Sequence, residues 1–146
     1  MIYTSYFAKL KDLPENFHPL AICLSPPKWY RGPIYQSLAP NWDILNEYKQ
    51  SSLSQEEKET IYRKRYQEEI LNHLPNTPTL LYTMERLSGG MATSEDEHIV
   101  LLCFERPNDF CHRHESAKEL TKRGIPVREL TKTDLEQIIE ISPFEK

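Results

Sequence analysis

Strands that alternate with helices predict an α/β protein, with a small, mostly parallel sheet covered by helices on both faces. Three observations carry that reading. Residues 20–24 and 99–102 are short, continuously apolar runs, as strands buried on both faces require. Segments with a helical apolar period lie between the strands. The 146 residues contain no internal repeat, low-complexity tract or linker, so one domain over 1–146 is expected.

Residues 2–7 alternate well enough for a first strand, and Leu20-Ala21-Ile22-Cys23-Leu24 supplies the second. Residues 25–40 hold four prolines with Lys28, Trp29, Tyr30, Arg31 and Tyr35, which predicts a long ordered loop. Asn41 can cap a short helix with Trp42, Leu45 and Tyr48 on one stripe. Ser54-Gln55-Glu56-Glu57 has capping-box spacing. The helix it opens is expected to reach about His73, with Ile61, Tyr62, Tyr66, Ile70 and Leu74 as its apolar face.

Thr77-Pro78 predicts a cap followed by proline at the first helical position, and Gly89-Gly90 the stop. Residues 91–97 are polar and acidic, a surface connection into the strand at Ile99. Arg106-Pro107-Asn108-Asp109-Phe110 predicts a turn, and a helix from about His112 to Arg123 is expected to end at Gly124. Residues 126–130 read as a last short strand, and Thr131-Lys132-Thr133-Asp134 caps a C-terminal helix.

A net charge of −4 gives no global basic field, which leaves any nucleic-acid contact to local patches. No run reaches the roughly eighteen apolar residues of a membrane span. The start, Met1-Ile2-Tyr3-Thr4, lacks a basic segment followed by an apolar core, so a soluble, cytoplasmic protein with no membrane partner is expected. Three cysteines, an odd number, argue against a disulfide framework and for a reducing compartment. Gly-x-Gly-x-x-Gly and Walker A patterns are both missing, which disfavours a dinucleotide dehydrogenase or a P-loop NTPase, and no cofactor is expected. The oligomeric state is left open.

Right-handed crossovers place the Cys23-Leu24-Ser25 and Cys103-Phe104-Glu105 strand ends on one rim of the sheet, where such folds bind ligands. Cys111-His112-Arg113-His114 opens the helix that follows. Unpaired N–H groups and the helix dipole there favour a thiolate, which makes Cys111 a candidate nucleophile or substrate contact; the alternative is a small hydrophobe packed under the strand. Glu105 can orient His112 or act as a general base, and these three are the catalytic candidates. Arg113 can hold an anion or pair with Glu105.

Ser25, Lys28, Trp29 and Arg31 join Arg113 as ligand-binding candidates, because rings in this loop can stack on a base while a cation meets phosphate. The alternative is a proline-rich lid whose aromatics pack on the domain. Cys103, Cys111, His112 and His114 are zinc-ligand types, but the eight-residue step between the cysteines is not a ligand spacing. Adjacent Cys111 and His112 are not expected to face one ion, so no metal is expected. His114 is expected to be a solvated helix residue, Arg63-Lys64-Arg65 a solvated face, and Tyr62, Tyr66 and Ile70 core. Cys23 should be buried and inert.

The run Leu101-Leu102-Cys103-Phe104-Glu105, a short polar turn, then Cys111-His112-Arg113 resembles the hallmark of the DUF488 family. Ile2-Tyr3-Thr4, the helix containing Tyr66, and Gly124-Ile125-Pro126-Val127 also fall where that family has them, so the likeness spans most of the chain. It implies a Rossmann-like three-layer domain and a fold rather than a reaction. Such proteins usually carry an Asp-Val-Arg-like element at the end of the second strand; this chain has Cys23-Leu24-Ser25-Pro26-Pro27, so that charge would have to come from Lys28 or Arg31.

Two functions remain after this reading. One is a small enzyme acting on an anionic or nucleotide-related ligand through Cys111, His112, Glu105 and Arg113. The other is a non-catalytic binding module in which the Cys-Glu-Cys-His-Arg cluster is structural and the loop at residues 26–33 contacts a partner.

Overall fold

Parallel pairing organises the chain. In this computed structural model, which describes residues 1–105 and 110–141, four strands make one sheet. β1 (Ile2–Tyr6), β2 (Phe17–Ala21), β3 (His98–Cys103) and β4 (Val127–Glu129) lie in the order β2-β3-β1-β4, every pair parallel. The expected turn at residues 106–109 lies outside the described residues.

A parallel sheet of this kind must be covered on both faces, and the strand alternation sorts its side chains accordingly. Ile2, Leu20, Ile99 and Leu101 face one layer. Ile44 of α1 (Trp42–Gln50), Tyr62 and Tyr66 of α2 (Gln55–Glu69), Leu80 and Met84 of α3 (Thr77–Ser88) and Leu120 of α4 (His112–Lys122) fill it. Tyr3, Phe17, Val100 and Leu102 face the other, with Phe7, Tyr30 and Leu135 of α5 (Lys132–Ile141) against them. β3 is buried at all six positions, which is why its sequence runs apolar without alternation.

The second strand begins earlier than its apolar run suggests. Pairing starts at Phe17 opposite His98 and the strand ends at Ala21, so Pro19 lies inside it. Proline is tolerated there because β2 is an edge strand and one side of its backbone owes no ladder bond. The Ile22 N–H still donates to the Leu102 carbonyl at 3.0 Å, and the chain then leaves the sheet.

Helix starts follow the capping chemistry. The Asn41 side chain accepts from the Ile44 N–H at 2.8 Å, and Ser54 Oγ from the Glu57 N–H at 3.2 Å. At α5, Thr131 Oγ1 accepts from the Asp134 N–H while Asp134 Oδ2 accepts from the Thr131 N–H, a reciprocal box. The cap of α3 is Asn76 rather than Thr77, which puts Pro78 one place deeper in the first turn, where its missing N–H still costs no bond. α2 stops at Glu69, and Leu71–His73 continues as a single 3-10 turn.

Gly89 closes α3 in the left-handed region at φ 80°. Alanine there keeps the fold but meets the left-handed penalty, so Gly89→Ala lowers the unfolding free energy by about 1–2 kcal/mol. A fall in the urea midpoint at unchanged m-value checks it.

Candidate active site

The site is built where β2 and β3 end side by side. Past Ala21, the Ile22 N–H is spent on Leu102, while the Ile22 carbonyl accepts a hydrogen bond from His112 Nε2. That bond fixes the ring: Nε2 carries a proton, and Nδ1 is turned to the Cys103 sulfur, 3.7 Å away. The Tyr66 ring packs edge-on against His112, its centroid 5.5 Å away. Tyr66 itself is anchored by its hydroxyl, which donates to the Leu38 carbonyl at 2.5 Å and accepts from Ser116 Oγ at 2.6 Å.

Cys111 is the N-cap of α4, in extended backbone at φ −154° and ψ 141°, and His112 is the first helical residue. The change from extended to helical backbone between neighbours brings both side chains to one place. Cys103 Sγ, Cys111 Sγ and a His112 ring nitrogen lie within 4.8 Å of one another, all three residues buried. The expectation that Cys111 and His112 point apart is therefore corrected, and with it the spacing argument against a shared ion.

The two thiols of this cluster are driven in opposite directions. Cys111 is held well below the usual thiol range, first by the hydrogen bond from Cys103 and then by His112 and the Arg113 backbone N–H, against the opposing effect of burial. Cys103 is raised well above that range, by the same bond and by its own burial. Cys103 has one proton and three acceptors in reach: the Cys111 sulfur, Glu105 Oε2 at 3.5 Å and His112 Nδ1 at 3.7 Å. Glu105 reaches solvent, yet its carboxyl lies against this wall. Desolvation there, and next the Cys111 thiolate, push its pKa upward. Burial pushes Cys23 up to about 11, in keeping with an inert thiol.

Above this floor opens a cavity of about 280 Å³. Cys103, Cys111, His112, Glu105, Cys23 and Ser25 line it below; Trp42, Tyr48, Tyr62, Phe104 and Phe110 wall it, and Lys49 is the cation among the described lining residues. The stripe of Trp42, Leu45 and Tyr48 on α1 thus faces the cavity, while the residue α1 buries in the core is Ile44. Tyr62 serves both, as a core residue and a wall. Lys49 and the aromatic walls were not among the sequence candidates; the helical spacing of Trp42, Leu45 and Tyr48 was their only signal.

The remaining candidates lie elsewhere. Arg113 is completely buried and does not line the cavity. Its Nε and Nη2 donate to the two oxygens of Glu129, each at 3.1 Å, and Nη1 donates to the Glu105 backbone carbonyl. The carboxylate it pairs with is that of Glu129 and not the Glu105 alternative; parallel pairing sets Glu129 beside β1, where Thr4 Oγ1 also donates to it at 2.6 Å. Lys28, Trp29 and Arg31 are exposed and outside the cavity lining. The Arg31 guanidinium donates to the Lys28 carbonyl at 2.5 Å, and Trp29 leans on Phe7 with ring centroids 6.3 Å apart. Of residues 25–40, the two ends, Ser25 and Pro40, line the site. His114 is half-buried rather than solvated, and its Nε2 is buried without a hydrogen-bond partner among the described residues.

No helix among the described residues is long and apolar enough to cross a membrane. A search of curated proteins and a search of solved structures each found no match. A family model described as the active DUF488-N3 subclade matches residues 8–124, from the first turn after β1 through the end of α4, and the chain belongs to the DUF488 family.

Proposed function

We propose that this protein is an enzyme that uses the Cys111 thiolate as a nucleophile toward a small, planar, anionic ligand of nucleotide-like character. The observation that carries the reading is the position of Cys111: a helix N-cap, beside an imidazole of fixed orientation, on the floor of an aromatic-walled cavity. The volume of about 280 Å³ is just under the roughly 300–1,000 Å³ of sites for drug-sized ligands, so it suits one ring system rather than a dinucleotide. Trp42, Tyr48 and Phe110 offer stacking faces, and Lys49 replaces Arg113 as the partner for an anionic group.

The chemistry this supports is a two-step displacement. Cys111 Sγ bonds to an electrophilic carbon of the ligand as the bond to the leaving group breaks, and Glu105, at the solvent-exposed edge of the site, relays a proton from water to that group. The Glu105 carboxylate then takes a proton from water, whose oxygen displaces the sulfur and restores the thiolate. His112 positions both sulfurs without itself reacting.

Alkylation with iodoacetamide in chelator-treated buffer, read residue by residue by mass spectrometry, tests the reading. A free thiol with a pKa of about 8.5 is only about 0.3% thiolate at pH 6. Cys111 is expected to keep most of its high-pH rate there, Cys23 and Cys103 to remain unlabelled, and Cys111→Ser to abolish the signal. Nucleoside monophosphates are expected to protect Cys111 better than inorganic phosphate does. Three slow, similar thiols would sink the nucleophile and favour the binding-module reading, for which exposed Trp29 and Phe104 are the available surface.

A further inference from the structure

We propose that Cys103 Sγ, Cys111 Sγ and His112 Nδ1 form a three-ligand site for Zn²⁺, and that the ion withdraws Cys111 from its nucleophilic role. Only the second half rests on the reading of Cys111 as a nucleophile. The site itself stands on geometry.

Around a tetrahedral Zn²⁺, sulfurs at about 2.3 Å and a nitrogen at about 2.0 Å stand about 3.5–3.8 Å from one another. The Cys103 sulfur is 3.7 Å from His112 Nδ1, and all three donor atoms lie within 4.8 Å of one another. Closing any pair to that spacing takes at most about 1.3 Å, shared between two side chains. Two sulfurs and an imidazole nitrogen are a soft donor set that selects zinc over magnesium or calcium.

The outer shell supports the same use. A histidine that ligates through one nitrogen ordinarily donates the other N–H to a carbonyl or carboxylate, and His112 Nε2 donates to the Ile22 carbonyl. All three ligands line the cavity, so the fourth position opens into it and takes water or a ligand group. A three-ligand site with an open position is the catalytic rather than the structural zinc pattern. Here the ion also ties up the one sulfur placed to attack. Any ligand sulfur still protonated gives its proton to water as it joins the metal. Cys23 lines the cavity but lies outside the three-atom cluster.

Co²⁺ serves as the visible probe for Zn²⁺. Titrated into the reduced, full-length protein, it is expected to give one equivalent of thiolate-to-cobalt charge-transfer absorbance with tetrahedral ligand-field bands, and Zn²⁺ should bleach both. Cys23→Ala should keep the signal. Cys103→Ala should lose more affinity than the roughly 10–100-fold that follows removal of an outer-shell partner. Zn²⁺ should halt Cys111 alkylation, and a chelator should restore it.

No charge-transfer band in the wild-type protein overturns the site, as does a band that keeps its wild-type affinity for Co²⁺ in Cys103→Ala. Continued alkylation in saturating Zn²⁺ overturns the regulatory half. Slow alkylation of the metal-free protein refutes the nucleophile alone, since the cobalt band is read independently of it.

Discussion

Arg113→Met lowers the unfolding free energy by about 3 kcal/mol, the low end of what breaking a buried ion pair costs. The arginine is completely buried and makes three hydrogen bonds: two to Glu129 and one to the backbone of Glu105. Methionine fills much of the volume but strands the Glu129 carboxylate and the Glu105 carbonyl. The Glu129 side chain is 21% exposed, so water repays part of the loss, which places the effect at the lower end. Arg113→Lys also destabilises, because one ammonium cannot reproduce a planar fork across both oxygens. Removing the charge on both sides, as Arg113→Met with Glu129→Met, recovers much of the loss by replacing the pair with apolar contact. Urea denaturation of the three variants checks the series. A single-mutant loss under about 1 kcal/mol would mean the carboxylate is already hydrated, like an exposed pair.

That arginine also shows what a sequence can and cannot disclose. The motif Cys111-His112-Arg113 announced charge at a helix start, and the helix is there. Which way each side chain faces was not readable, because it depends on a strand sixteen residues further on. Glu129 reaches Arg113 only because β4 pairs with β1, a long-range choice with no local signature. The caps at Asn41, Ser54 and Thr131 were legible because capping is settled within three residues. The start of β2 was not, since an edge position and the register against β3 decide it, overriding the proline.

The candidate site divides along the same line. Cys103, Glu105, Cys111 and His112 meet as the strand-to-helix pattern suggests, and the stripe on α1 points at them. The loop carrying Lys28, Trp29 and Arg31 had the right composition for a ligand wall. Its path is fixed instead by the burial of Tyr30, whose hydroxyl donates to the Pro33 carbonyl at 2.7 Å, and by the bridge from Ile34 to Ala21. Those contacts turn Trp29 toward Phe7 and away from the cavity.

Cys103→Ala moves the inflection of the Cys111 alkylation profile to higher pH. The hydrogen bond from Cys103 is the largest influence holding the Cys111 pKa down, ahead of His112 and the Arg113 backbone N–H. A hydrogen bond to a charged group is worth about 1.5–3 kcal/mol, so its loss shifts the thiol–thiolate balance by a factor of roughly 10–100 toward the thiol. The sign follows from which form the bond favours: it stabilises the thiolate, so without it more alkali is needed to remove the proton. Above the inflection the rate should rise slightly, because a more basic thiolate is intrinsically more nucleophilic. The same depression links to folding. A thiol more acidic in the native state than in the unfolded chain adds stability that is complete above about pH 8.5 and is lost as the pH falls through the native value. In Cys103→Ala that loss should set in at higher pH. An inflection that stays in place, measured in chelator-treated buffer, would mean that Cys103 gives its proton to Glu105 and that His112 and the helix start alone sustain the thiolate.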